Sequence, residues 1–117
     1  MVRNVLYLIR KPPGVLANEM IDLILVSGVF EQPTRVLFLT DGVLQLNAKQ
    51  DGTLIGRKDT AKALSALPEY EIDQLYAHKA SMTKHGLNPD NVSVKVTVID
   101  DQKVKNLIHD ADIVLSD

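Results

Sequence analysis

Cysteine is absent from this chain. Without a thiol there is no disulfide, no thiolate metal site and no mechanism built on a cysteine nucleophile of this polypeptide. Tryptophan is absent too, and aromatic residues make up only 4% of the total, too few for a stacking platform for bases or sugars. Neither sign of charge dominates: 13 basic residues face 15 acidic ones, spread evenly along the chain. With no basic stripe, direct nucleic-acid binding is disfavoured. No apolar run approaches the roughly 20 residues a membrane helix needs. The first ten residues lack the basic start, long apolar stretch and small-residue cleavage site of a signal peptide. A cytoplasmic protein without membrane attachment is the expectation. What remains is 117 residues, 45% of them apolar, enough for one domain over 1–117 with a real core.

Val5-Leu6-Tyr7-Leu8-Ile9 is a continuous apolar run, the pattern of a strand buried on both faces. Arg10-Lys11-Pro12-Pro13-Gly14 ends it, because two prolines and a glycine punctuate strongly. Residues 15–30 read as a helix and Val36–Leu39 as a second buried strand. Asp41-Gly42 signals a turn, Val43–Leu46 is a short apolar stretch, and 47–56 reads as a loop. A helix over 58–67 ends at Pro68; a third strand spans Ile72–Tyr76 and a short helix 78–85. Residues 92–99 read as a fourth strand, 101–110 as a helix and Ile113–Leu115 as a fifth strand. Alternation of strands and helices predicts right-handed βαβ units and a mainly parallel sheet with helices on both faces. From Val92 to Val98 valines alternate with polar residues, so this strand has one dry face and belongs at a sheet edge.

The first helix is apolar over too wide an arc. Asn18, Glu19 and Asp22 cover only about 100° at 3.6 residues per turn. Leu16, Met20, Ile21, Leu23, Ile24, Leu25, Val26 and Val29 fill most of the rest, more than one side of a sheet requires. Another subunit is the simplest second burial partner. The loop at 47–56 is the alternative cover.

Several polar residues gather where parallel folds place their sites, at the carboxyl ends of the strands. Asp41 stands where a phosphoacceptor aspartate would. The matching end of the first strand carries Arg10 and Lys11 in place of the carboxylates that would hold Mg²⁺. An Asx-turn with Gly42 is the favoured reading of Asp41. Arg10 to Gly14 precedes a helix N-terminus and could attract an anion, yet no phosphate-loop lysine or GxGxxG spacing accompanies it. A rigid, solvated loop is preferred there. Of the histidines, His109 falls on a polar helix face, and His85 sits at a helix C-terminus, where a cation is favourable. His78 follows the third strand and is chemically able to act as an acid or base. No serine is adjacent to it, and no histidine–carboxylate spacing suggests a metal site.

Three stretches together resemble a known family. Val36-Leu37-Phe38-Leu39-Thr40-Asp41-Gly42-Val43-Leu44-Gln45-Leu46 is similar to the "VLFL-x-DGV-x-QL" segment of the DsrF/TusC branch of the DsrE/DsrF-like superfamily, with Gln50 following. Residues 74–87 are similar to its "A/D-S-L-x-x-R-G-L" helix, with Ser81 and Gly86-Leu87 matching. Asp112 to Ser116 resembles its final strand. The resemblance implies a three-layer α/β/α fold with a five-stranded parallel sheet in the order 4-3-2-1-5, the 92–98 strand at an edge. It further implies trimers or hexamers with homologous DsrE/TusD-like and DsrH/TusB-like subunits. Such assemblies relay persulfide sulfur toward 2-thiouridine in tRNA or within sulfur oxidation. Their sulfur rides on a cysteine just after the third strand of the DsrE/TusD-type subunit, a position that Gly86 aligns with His78 here. Lys11-Pro12-Pro13 and Lys84-His85 depart from the family pattern.

A histidine cannot form a persulfide, so the resemblance implies a non-catalytic subunit with no cofactor. The alternative is a small α/β enzyme or anion-binding domain whose crevice uses Arg10, Lys11, Asp41 and His78, with Gly42 and Gln45 beside them. A homo-oligomeric structural protein is a third reading.

Overall fold

Val5–Ile9 (β1) presents apolar side chains in both directions, so it needs cover on both faces of the sheet. Val5, Tyr7 and Ile9 enter one core cluster and Leu6 and Leu8 the other, as the two-residue period of a strand requires. The computed structural model describes residues 4–30, 33–47 and 60–117. In it β1 pairs in parallel with Thr34–Phe38 (β2) on one side and Ile113–Ser116 (β5) on the other. Gln74–His78 (β3) joins β2, and Thr97–Ile99 (β4) joins β3. The order is β4-β3-β2-β1-β5, with β4 at an edge as the valine alternation predicts.

Helices cover the two faces unequally. Val15–Val29 (α1), Thr60–Ser65 (α2) and Lys79–Lys84 (α3) send Met20, Ile21, Ile24, Leu64 and Met82 onto the Tyr7 side. Val43 and Leu46, from a 3₁₀ turn over Thr40–Leu46, complete that core. Asp101–Asp110 (α4) covers the Leu6 side, where Val104 and Leu107 pack with Leu6, Leu37 and Ile99. Each fully buried Leu, Ile or Phe contributes about 1.5–3 kcal/mol relative to exposure. Asp100 caps α4 by accepting the Lys103 N–H at 2.9 Å.

Some boundaries differ from the sequence reading. The fourth strand shortens from 92–99 to Thr97–Ile99. Its first residues turn away from β3: Val92 bridges Asn47, and the Ser93 N–H donates to the Leu46 carbonyl at 2.8 Å. Val94 is buried and Val96 packs on the same core, so the alternation reports one-sided burial without a ladder. The third strand moves from Ile72–Tyr76 to Gln74–His78 because the Ile72 N–H is held by the Leu67 carbonyl at 3.1 Å. Of the predicted 58–67 helix, residues 60–67 are described: α2 stops at Ser65, and Leu67 and Pro68 stand in a separate 3₁₀ turn over Leu67–Tyr70. The predicted loop lies outside the described residues beyond Asn47, as does Gln50.

Candidate functional site

The close approach of two chain segments sets the geometry at the carboxyl edge. The Leu39 N–H donates to the Ile9 carbonyl at 3.0 Å, and the following 3₁₀ turn lies directly against the end of β1. Any Cβ on Gly42 would overlap the Ile9 carbonyl oxygen. Glycine is therefore a steric requirement of the Asp41-Gly42 pair. Thr40, just before it, has φ of 51°, a left-handed conformation unusual for a β-branched residue. Its N–H donates to Ser81 Oγ at 2.9 Å and its hydroxyl to the Arg10 carbonyl at 3.1 Å, so both β1 and α3 hold the bend.

Ser81 passes that contact on to His78. Its Oγ lies 2.7 Å from His78 Nδ1, and His78 Nε2 lies 2.5 Å from Asp101 Oδ1. The hydrogen-bond accounting follows from donor capacity. Ser81 Oγ already accepts from Thr40, and the Asp101 carboxylate accepts only. In its neutral form the imidazole therefore carries its proton on Nε2 and gives it to Asp101, while Nδ1 accepts the Ser81 hydroxyl proton. Neither ring nitrogen is left over. The His78 side chain is only 18% exposed, whereas Asp101 is 82% exposed at the start of α4. An open cleft of about 480 Å³ lies beside the pair, with Lys79, Lys84 and Asp100 along it.

The remaining candidates occupy other contacts. The Arg10 and Lys11 backbone N–H groups donate to the two carboxylate oxygens of Asp117, at 2.9 and 3.4 Å. Arg10 Nε donates to Ser116 Oγ at 3.0 Å. Asp41 Oδ1 lies 3.1 Å from His85 Nε2. The Gly42 N–H donates to the Leu39 carbonyl at 3.0 Å as the 3₁₀ turn begins. Gln45 is completely buried, and its Nε2 donates to the Lys11 carbonyl at 2.8 Å. Arg10, Asp41 and His78 thus each bond a different partner, and Thr40 is what connects the Arg10 end to His78. Among the described residues no cluster of His, Asp or Glu could hold a metal ion.

Sequence reasoning passed over Ser81 and Asp101 as partners of His78. Ser81 stands three residues along, where the first turn of a helix returns to the strand end, so spacing alone could have found it. Asp101 arrives from beyond β4 and has no local signal.

Comparison with known proteins completes the picture. Residues 3–116 match the DsrE/DsrF-like family. The chain is 34% identical over 118 residues to a TusC homolog of Pseudomonas aeruginosa, with 99% of each chain covered. It is 33% identical to the intracellular sulfur oxidation protein DsrF of Allochromatium vinosum, covering 98% of this chain and 96% of that one. The ychN protein from E. coli shares the fold, with a TM-score of 0.80 at 16% identity over 99% of this chain and 100% of that chain.

Proposed function

We propose that this chain, which belongs to the DsrE/DsrF-like family, is a cysteine-free, non-catalytic subunit of a cytoplasmic sulfur relay assembly. Its relatives named for TusC and DsrF support a sulfur relay role. The observation that carries the non-catalytic half is the absence of cysteine. In persulfide transfer an acceptor thiolate attacks the outer sulfur of a donor persulfide. The sulfur–sulfur bond breaks and the donor leaves as a thiolate. An imidazole supplies neither partner, and both nitrogens of His78 already have hydrogen-bond partners.

Sulfur in this reading rides on a DsrE/TusD-like subunit, with a DsrH/TusB-like subunit as the third member. The whole chain, 1–117, acts as one domain that shapes the assembly, serving either tRNA 2-thiouridine formation or sulfur oxidation. The test is to co-express the chain with such subunits from the same genome, load the complex with a cysteine desulfurase and cysteine, and weigh each chain intact. Co-purification with thiol-reversible sulfur on another subunit is expected. Such an adduct on this chain, or failure to co-purify, overturns the reading.

A further inference from the structure

The α1 layer stops short of the β5 edge. Leu115 of β5 is paired with Tyr7 and shares its side of the sheet, yet it is 39% exposed. Beside it runs the flank of α1. At 100° per residue Leu23, Val26 and Phe30 fall on one stripe, next to the Met20 and Ser27 positions that turn inward. These three are 46%, 50% and 77% exposed. Glu19, Met20, Leu23 and Asp117 line a hollow of about 240 Å³ where helix and strand meet. Stripe and strand therefore form the two walls of an inner corner. The helix wall is about 10 Å long and the strand wall about 13 Å. That length suits about two turns of helix, packed 8–10 Å from α1.

We propose that this corner receives an amphipathic helix of a different polypeptide, one that carries a lysine or arginine beside its apolar stripe. Charge selects the partner. Glu19 and Asp22 are the ionisable residues of α1, which contains no Lys or Arg. Glu19 is exposed and lines the hollow itself. A second copy docking through its own α1 brings carboxylates and no cation. A basic residue opposite Glu19 gains a complementary charge at the rim, which fixes register and excludes wrong partners. The inference adds a place and a partner chemistry to the assembly reading above. Its test is separable, because contact is recorded whether or not sulfur moves.

The experiment places p-benzoylphenylalanine at Val26 or, in a second variant, at Phe30, in the full chain expressed in its native host. The exposed Lys105 on α4 is the control position. Circular dichroism confirms each variant is folded, and adducts are mapped by peptide mass spectrometry. The expected product joins Val26 and Phe30 variants to one helical segment of another chain with Lys or Arg within a turn of the crosslink. Adding Glu19→Lys should lower the yield by about two- to fivefold, the upper part of what an exposed-rim charge pair supplies. Crosslinks to α1 of a second copy, to residues 48–59 of the same chain, or to a segment without a base overturn the proposal. So do the absence of adducts and a yield unchanged by Glu19→Lys.

Discussion

Replacing Ser81 by alanine removes one small hydroxyl that serves two elements at once. Ser81 is 7% exposed, accepts the Thr40 N–H at 2.9 Å and meets His78 Nδ1 at 2.7 Å. Alanine fits the space, so the cost comes from lost hydrogen bonds and not from a cavity. Thr40 is held at φ 51°, and its N–H would lose its partner. A fully buried donor left unsatisfied costs about 1–3 kcal/mol; this contact is part-buried, so the lower half of that range applies. The Nδ1 side adds little, because water in the adjoining cleft can replace the hydroxyl. The expected loss is about 1–1.5 kcal/mol, which lowers Tm by roughly 3–7 °C in a domain of this size. Urea unfolding followed by circular dichroism measures it. Imidazole nitrogen NMR supplies an independent readout: the neutral ring should carry its proton on Nε2 in the wild type and in the variant alike, because Asp101 remains to accept it. Asp101→Asn is the control: that carboxylate is 82% exposed, so its loss should cost under about 0.5 kcal/mol. A Ser81→Ala protein within about 0.5 kcal/mol of wild type, or a neutral ring protonated on Nδ1, would refute the hydrogen-bond accounting.

Two further outcomes test the same region. Gly42→Ala should destabilise the chain by at least about 3 kcal/mol, since the new methyl meets the Ile9 carbonyl and the backbone has to move; denaturant titration checks this, and a loss below 1 kcal/mol contradicts the packing described for the turn. His78→Ala should leave sulfur transfer by the assembled complex within a few-fold of wild type, as measured by single-turnover transfer. A complex that stays assembled but loses transfer would place His78 in the chemistry.

The parts of the fold that were legible in the sequence are those fixed by local pattern. Val5–Ile9 declares itself by being apolar at consecutive positions, and α4 by its i, i+3, i+4 spacing between Val104, Leu107 and Ile108. The exposed apolar stripe of α1 was likewise readable as a surplus over what one sheet face can bury. Residues 92–96 misled because one-sided burial and ladder pairing leave the same alternating signature. Only the tertiary pull of Leu46 and Asn47 distinguishes them. The site was legible to the extent that it is local. His78 was singled out by its place after a strand, but Asp101 and the Asp41–His85 contact depend on segments 23 and 44 residues apart. No local rule specifies such distances, since they follow from how the 3₁₀ turn, α3 and α4 settle on the finished sheet.

The contact of Asp117 with the start of the loop after β1 bears on where ligands can go. In the order β4-β3-β2-β1-β5 the chain reverses direction across the sheet between β1 and β5, and open parallel folds keep their ligand crevice at such a reversal. Here the two successive N–H groups that an incoming anion would meet are already answered by the molecule's own carboxylate. The mouth of the fold is stoppered from within. A visitor seeking those two backbone donors has to compete with a tethered rival that never diffuses away.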